Sequence, residues 1–454
     1  MRDTLLTQAG AHPGIGLQLG PGHRRLRFAV LSLCAFFLVQ IGFGNPQPEG
    51  LSRETVSLLG TTAFSLLFLG FYTLFLRHCL TGNVLVIGST ARCPAKMVAL
   101  WVGLCVLGTV VGMQTENELN YVVGDAYKFT QAPAVFFLSY LVFRHNRRVV
   151  DSFLRILVVL VAGTVLYNLV DSWALLESGY RVATKAAYFS SFVIPVQLYF
   201  LQRHTQSKAR VFHPILLCVT GMSLVLSQWR TPILVACAGL VVFWVLQRGW
   251  TASQLRRLLP VIGVLIIVVF FSGQVLRPIF VVPAEATLER FRVLGEMGSL
   301  QHRDPYLVSI LGSRLHEVDS VSEKLKENPF RIPFGFGMGS TVEAVHGVNL
   351  QWGSTHYVHL GWAEIVLRTG VVGLAFYVAL SIYFLSLFLR CWRSNPLASL
   401  SLTLGVQHIL SLLISSPFAT DPVVFCVYGL TIAVLEQSRQ CTSQHMPFLR
   451  QEVQ

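Results

Sequence analysis

Long apolar runs dominate this chain and limit how it can fold. Segments of about 17–25 apolar residues can cross a bilayer as helices. We identify about twelve such segments, at 28–44, 56–76, 97–113, 130–144, 152–171, 186–202, 211–227, 230–247, 258–276, 370–389, 397–415 and 422–436. Only 13% of the residues are charged, whereas a soluble domain usually has about 25%. The sequence therefore predicts an all-α integral membrane protein that lies in a lipid bilayer.

The distribution of basic residues predicts the orientation of these helices. Lys and Arg collect in the short cytoplasmic loops of membrane proteins. With the N-terminus inside, the inner connections carry most of the basic residues, including Arg24, Arg25, Arg27, Arg77, Arg92, Lys96, Arg144, Arg147, Arg148, Arg203, Lys208, Arg210, Arg248, Arg256, Arg257, Arg390 and Arg393. The formal net charge of +13 then reflects arginines beside anionic lipid head groups, so we expect no nucleic-acid partner.

The predicted topology divides the chain into five parts. A cytoplasmic tail over 1–27 precedes helices one to nine over 28–276, a large outer loop over 277–369, helices ten to twelve over 370–437, and a second cytoplasmic tail over 438–454. The first apolar run resembles a signal peptide, but because no small-residue cleavage site follows it, we interpret it as a retained helix. The chain around Arg230 is read either as one long helix or as two helices joined by a tight turn.

The outer loop is polar and contains a predicted helix followed by a glycine-rich segment. Ser313 is positioned to cap a helix whose apolar residues recur every three or four positions, and Asn328-Pro329 ends it. The segment Phe334-Gly-Phe-Gly-Met-Gly-Ser340 follows. Alternating glycines allow backbone conformations closed to other residues, and they let a ligand approach closely. The alternative interpretation is a tight turn in a loop at the membrane surface.

The segment 356–373 predicts a short amphipathic helix at the membrane surface that leads into a span. Trp362, Ile365 and Val366 share one helix face. Glu364 and Arg368 are four residues apart, so they can pair on another face.

These motifs together resemble the signature region of the O-antigen ligase and O-antigen polymerase superfamily. The matching order is Asn328-Pro329, the three alternating glycines, His359, and then Gly370-x-x-Gly373. Two further matches are the arginines of Gly312-Ser-Arg314-Leu and Ser227-Gln-Trp-Arg230. The chain departs from the family at Leu360, where a small polar residue is common, and at Trp229, where Ser is frequent. These differences leave the acceptor open.

The resemblance implies a fold, a reaction and a set of site residues. The implied fold is a GT-C-like bundle in the bacterial inner membrane with its site on the periplasmic side. The implied donor is a glycan on undecaprenyl diphosphate, and the acceptor is a glycan, the lipid A core or another molecule. Arg314 and Arg230 would bind the diphosphate leaving group, since arginine pairs bidentately with phosphate. His359 would take the proton of the attacking hydroxyl or orient that hydroxyl, because histidine as a residue type suits this task.

Further contacts to the substrate are predicted at Arg331, His346, His356 and the three glycines Gly335, Gly337 and Gly339. The resemblance implies no cofactor and no metal, and the loop contains no Asp-x-Asp motif. Inverting chemistry by direct displacement is expected. The shared motif does not separate a ligase from a polymerase or from a protein-glycosylating enzyme, because it concerns the donor.

Each assigned residue also has an ordinary structural explanation. Arg230 can be an interfacial arginine that reaches for head groups. Arg314 can be a loop cation paired with Glu317 or Asp319, and the histidines can be interfacial residues with no chemistry. At the level of the whole chain, the alternative function is a transporter or flippase for lipid-linked sugars. Such proteins often contain internal repeats and ionisable residues at mid-membrane depth, and the sequence shows neither pattern clearly.

Overall fold

The protein is described by a computed structural model that covers residues 33–34, 36–37, 89–144, 148–171, 185–203, 207–227, 230–246, 317–346, 351–355, 358–415 and 421–451. This part of the chain contains nine long helices: α1 (Ser89–Gln114), α2 (Leu119–Arg144), α3 (Arg148–Asp171), α4 (Lys185–Arg203), α5 (Ser207–Ser227), α6 (Arg230–Leu246), α7 (Gly361–Cys391), α8 (Pro396–Ile414) and α9 (Asp421–Gln451). Between α6 and α7 the structure describes a helix over 317–327 (the loop helix), a 3₁₀ turn (Pro329–Arg331) and the strands β1 (Val342–His346) and β2 (Gln351–Thr355).

The prediction of a helical membrane protein is confirmed. Each long helix overlaps a predicted span, and four helical stretches, Thr90–Gln114, Val149–Tyr167, Gly361–Cys391 and Pro396–Ile414, are long and apolar enough to cross a membrane. Predicted spans 56–76 and 258–276 lie outside the described residues, as does 28–44 apart from four positions. Near residue 228 the structure has two helices, because α5 ends at Ser227 and α6 begins at Arg230.

The packing of the helices separates a lipid-facing surface from a core. Helix α8 lies inside the described bundle: it packs against α4, α6, α7 and α9, and 72% of its most apolar window is buried. In α1 and α7 the corresponding fraction is 28%. Their exposed side chains include Leu100, Val110, Met113 and Ile382. Apolar residues on the outside of a helix bundle are expected where the surrounding solvent is lipid.

Helix α2 begins earlier than the sequence predicts, at Leu119 instead of residue 130. The polar residues Asp125 and Lys128 interrupt the apolar pattern of its first turns and conceal the helix in the sequence. Both side chains contact partners of opposite charge on α7, namely Arg368 and Glu364. A pair of this kind reduces the cost of placing a charge in a bundle, so the first turns of α2 fold as a helix.

Helix α7 is broken at Gly370, whose φ of 73° and ψ of −174° are not helical. This combination is essentially restricted to glycine. The segment before the break, 361–369, is buried on almost all sides, including Glu364 and Arg368. The predicted helix is therefore present and leads into the long apolar part of α7, and it is buried within the protein. Neighbouring helices and the loop cover it, and its charged residues contact partners on α2.

The two-stranded hairpin was not predicted from the sequence. Strands β1 and β2 pair in antiparallel register from Val342–Thr355 to His346–Gln351. Each strand has only five residues, and isolated hairpins of this size are marginally stable in water. Val342 is buried against the loop helix, so the hairpin is stabilised by packing that no local pattern reveals.

Candidate functional site

His359 lies two residues before the first residue of α7, after strand β2 in the chain. Its neighbours Val358 and Leu360 are buried, whereas its own side chain is 52% exposed. The two flanking residues belong to a small apolar cluster with Val321, Val342, Ala363 and Leu367. This cluster joins the loop helix, the hairpin and the start of α7. Because the chain is anchored on both sides of His359, the position of the imidazole is fixed although the ring reaches solvent.

Glu317, the first described residue of the loop helix, binds His359 through both carboxylate oxygens. The backbone N–H of His359 donates to Oε2 at 2.9 Å, and Nδ1 of the imidazole lies 2.5 Å from Oε1. The Glu317 side chain is buried, with 4% exposure. Since an ionised carboxylate only accepts hydrogen bonds, we assign the proton to Nδ1, which leaves Nε2 as the acceptor nitrogen of the neutral ring. An imidazole held in one tautomer by a buried carboxylate is the usual arrangement of a general base and its orienting group.

The glycine-rich segment packs into the helix bundle next to this dyad. Gly335, Gly337 and Gly339 all have positive φ, between 74° and 82°. A Cβ at Gly337 would come within 2.2 Å of the backbone nitrogen of Gly112 on α1. At Gly335 it would come within 2.7 Å of Gly370. The three glycines therefore bring the loop backbone into direct contact with helix backbones. This packing accounts for them without a ligand, and their contact with substrate stays a prediction.

Hydrogen bonds from α1 and α2 hold the same segment in place. The amide of Asn117 donates to the carbonyl of Met338 at 2.9 Å, and the Met338 N–H donates to the carbonyl of Gly108 at 2.8 Å. The Gly339 N–H donates to Oδ2 of Asp125 at 2.8 Å. Gly108 and Gly112 are spaced four residues apart on one face of α1, which permits close approach of another backbone.

Arg368 and Asp125 form a buried ion pair under the glycine-rich segment. Nε of Arg368 lies 2.5 Å from Oδ2 of Asp125, and both side chains are at most 2% exposed. The guanidinium also donates to the carbonyl and the hydroxyl of Ser340. Breaking a buried pair by removing one partner is strongly destabilising. This pair therefore connects α2, α7 and the loop beneath the His359 dyad.

Lys324 of the loop helix adds a further contact to the glycine-rich segment. Its ammonium group donates to the carbonyl of Thr341 and lies 5.0 Å from the centre of the Phe336 ring. Burial lowers the pKa of Lys324, and the nearby Arg368 guanidinium lowers it further. The loop helix is thus attached to the glycine-rich segment as well as to His359.

A second polar cluster is buried where α7, α8 and α9 meet. The hydroxyl of Tyr377 donates to Oδ2 of Asp421 at 2.8 Å and lies 2.9 Å from Nε2 of His408. Nδ1 of His408 lies 3.0 Å from Oδ1 of Asp421. Tyr377 lies seven residues after the break at Gly370, and Asp421 is the first residue of α9. Like His359, this cluster therefore lies toward the end of the bundle that carries the loop, which we call the loop end.

The structure describes the sequence-predicted site residues unequally. His359 and the three glycines are described in full, and Arg331 ends the 3₁₀ turn as a half-buried residue. Arg230 begins α6 and His346 ends β1 opposite Gln351, but only their backbones are described. Arg314 and His356 lie outside the described residues. The proposed roles of these residues remain predictions.

Sequence reasoning missed Glu317 as a partner of His359. Glu317 was considered only as a partner for Arg314. Glu364 and Arg368 were predicted to be able to pair with each other, whereas the structure pairs them with Lys128 and Asp125. One sequence signal for these ion pairs was available. Asp125 and Lys128 are three residues apart, and Glu364 and Arg368 are four residues apart, so each of the two helices carries both charges on one face.

The site has the components of a proton-transfer centre at one end of an apolar helix bundle. It presents a half-exposed imidazole with a buried carboxylate behind it, next to the described part of the polar loop. Among the described residues, no group of three or more His, Cys, Asp or Glu side chains is arranged to hold a metal ion. No protein-family model matches this chain, and none of the curated proteins matches it.

Proposed function

We propose that this protein is a membrane glycosyltransferase that moves a glycan from an undecaprenyl-diphosphate carrier to an acceptor hydroxyl. The observation that carries the proposal is the pair formed by His359 and Glu317 at the loop end of an apolar helix bundle. The spacing of His359, Gly370 and Gly373, which resembles the O-antigen ligase and polymerase superfamily, supports the same function. A ligase and a polymerase both remain within this proposal.

In the proposed reaction the acceptor oxygen attacks the anomeric carbon of the donor glycan. The new carbon–oxygen bond forms as the bond to the diphosphate breaks, and the diphosphate leaves with the electron pair. Nε2 of His359 takes the proton of the attacking hydroxyl. Glu317 holds the ring and offsets the positive charge that develops on it. Direct displacement inverts the configuration of the anomeric carbon.

The negative charge on the leaving diphosphate requires cationic partners. Arg314 and Arg230 are proposed for this role, because the planar guanidinium pairs with two phosphate oxygens and stays charged. Arg331, His346 and His356 are proposed as further contacts. Since these cations can stabilise the developing charge themselves, the mechanism uses no metal.

The proposal includes a twelve-span, GT-C-like topology in the bacterial inner membrane. Both termini lie in the cytoplasm and the site lies on the periplasmic side. The carrier's polyprenyl tail stays in the lipid, and its diphosphate is presented at the head-group level. The described ion pairs favour this placement over transport at mid-depth. They lie at the loop end, around His359, Arg368 and Asp421, and at the opposite end, around Glu436. Between these ends the buried hydrogen bonds involve uncharged side chains such as Gln407 and Thr220.

The test is gene deletion in the host followed by complementation with wild type, His359→Ala, Arg314→Ala or Arg230→Ala. The readout is the size distribution of lipid-linked and surface glycans, with the membrane level of each variant checked. Each variant at normal membrane level is expected to fail. Long chains that accumulate on the carrier identify a ligase, and single repeat units identify a polymerase.

Two results would contradict the assignment. Full complementation by His359→Ala at normal membrane level would exclude the proposed base. Lipid-linked glycan that accumulates on the cytoplasmic face would instead identify a transporter or flippase, the alternative that the sequence leaves open.

A further inference from the structure

The 3₁₀ turn and the residues after it form an exposed apolar tip. Phe330 is 93% exposed, and Ile332 and Phe334 are also exposed. We call residues 329–334 the loop tip. Three large apolar side chains within five positions are costly to leave in water, because apolar surface is stabilised by its removal from water. The tip therefore requires an apolar environment outside the fold.

The break in α7 fixes where this tip lies. The Val371 N–H donates to the carbonyl of Ile332 at 2.9 Å, and the Val372 N–H donates to the carbonyl of Pro333 at 3.1 Å. These two N–H groups start the helix after Gly370, where a helix has no internal partner for its first donors. The tip is consequently bonded to the first turn of the long apolar part of α7.

That first turn lies at the edge of the hydrocarbon layer. The stretch from Val371 to Arg390 has about 20 residues, which at about 1.5 Å each span about 30 Å, the thickness of the hydrocarbon core. Val371 and Val372 are exposed on the outside of the bundle, where lipid is expected. Because the tip is hydrogen-bonded to these residues, its apolar side chains continue the same lipid-facing surface.

We infer that the loop tip inserts into the outer leaflet and binds the acyl chains of the bilayer. Phe330, Ile332 and Phe334 enter the lipid beside the first turn of α7. Arg331 lies between Phe330 and Ile332 in the chain. Its charged end extends to the phosphate groups above the inserted side chains, as arginine does at membrane interfaces. The inserted tip holds the glycine-rich segment, and through it the loop, at a fixed depth.

This membrane contact does not depend on the proposed glycosyl transfer. It follows from exposure, hydrogen bonds and the length of the apolar part of α7, and the choice of leaflet follows from the orientation predicted from the basic residues. If both hold, the tip sets the height of the site relative to a lipid-linked substrate. If the chain has another function, the tip still inserts.

Photo-crosslinking of the full-length protein in phosphatidylcholine nanodiscs tests the inference. Phe330→p-benzoylphenylalanine is compared with the same substitution at Val372, a lipid-facing position on α7, and at Glu323, an exposed charged position on the loop helix. Each variant is first shown to elute as the wild type does on size exclusion. Mass spectrometry then measures the yield of phosphatidylcholine adduct at each position.

The expected adduct yield at position 330 is within about twofold of that at 372 and at least tenfold above that at 323. A yield at 330 no greater than at 323 would overturn the inference, and so would cross-linking of 330 to a second copy of the chain. For a variant that elutes abnormally, Phe330→Trp replaces it. Its added fluorescence is expected to fall in brominated lipid, and unchanged emission would overturn the inference.

Discussion

At the scale of single residues, Glu317 has the most informative position in the described loop. One carboxylate contacts both the backbone N–H and the imidazole of His359, so it fixes the chain and the ring together. The partner is buried while the histidine is half exposed. Because the imidazole itself reaches solvent, the orientation of the ring is the more informative role to test.

Replacing Glu317 with Gln is expected to lower kcat by roughly 100-fold or more, the scale of general acid–base catalysis. The amide has a single acceptor oxygen, so it loses one of the two hydrogen bonds from His359, and it carries no charge to balance a protonated ring. KM for the lipid-linked donor should change little, because Glu317 is a positioning residue. The measurement is transfer by purified protein in nanodiscs, with kcat and KM determined separately.

A double mutant separates positioning from a general structural effect. If Glu317 acts through His359, Glu317→Gln should cause no further loss in a His359→Ala background. Multiplicative losses would show that the two residues act separately. Exposed Glu323 on the same helix supplies the matched control, and Glu323→Gln should leave kcat unchanged.

At the scale of elements, the loop and α7 complete each other's hydrogen bonding. In an unbroken helix the Val371 N–H would donate to the carbonyl of Leu367. Here Leu367 accepts from Phe336, while Val371 donates to Ile332. The loop thus supplies a donor for the carbonyl of Leu367 and an acceptor for the N–H of Val371. Gly370 makes this exchange possible, because any side chain there would meet the carbonyl of Pro333.

Gly370→Ala is expected to destabilise the protein by about 1–3 kcal/mol from backbone strain, with an additional loss from overlap with Pro333. The midpoint of thermal unfolding in detergent should fall clearly. Gly103→Ala on α1 is the matched control, because a Cβ there meets nothing within 4 Å. Alanine is the better helix former by about 1 kcal/mol, so this control should unfold at the same or a higher temperature. Equal midpoints for the two variants would contradict the proposed exchange.

At the scale of the whole molecule, the ion pairs of the described residues divide between the two ends of the bundle. At the loop end lie the pairs of His359, Arg368 and Asp421. At the other end, Arg144 lies 3.5 Å from Glu436 and Arg203 lies 3.6 Å from Asp151. Ionisable groups are costly inside a membrane, so this division suits a bundle whose two ends face opposite aqueous sides.

Reporter fusions are expected to place these ends on opposite sides of the membrane. Alkaline phosphatase, which is active only outside the cytoplasm, should be active when fused after Thr341 and inactive when fused after Ser394. A fluorescent protein at the C-terminus should fluoresce. The reason is the excess of Lys and Arg in the predicted inner connections. Phosphatase activity after Ser394 but not after Thr341 would reverse the orientation and place His359 in the cytoplasm.

The sequence predicted the helices well where their signal is local. All nine described long helices coincide with apolar runs, and the end of the loop helix at Asn328 follows from Asn-Pro. The start of α2 was missed because its charged residues are compensated by partners on α7. The hairpin was missed because Val342 is buried by residues distant in sequence.

The candidate site was predicted only in part. His359 was predicted because its spacing to Gly370 and Gly373 resembles that of the O-antigen ligase and polymerase superfamily, and the glycine-rich segment was predicted from its composition. Glu317 lies 42 positions from His359, and Asp125 lies 214 positions from Gly339. No local pattern indicates such pairs, since many acidic residues in the loop and its flanks are equivalent by composition.

The sequence by itself determined that this chain is a helical membrane protein. The physical reason is that transfer of apolar residues to lipid adds up along a run, and that a helix satisfies its hydrogen bonds within the same run. Only the tertiary structure decided which carboxylate binds His359, how the three glycines pack the loop against the helices, and where the exposed tip lies. These depend on the packing of segments that are far apart in the chain, where side-chain direction and burial select one partner among several of the same type.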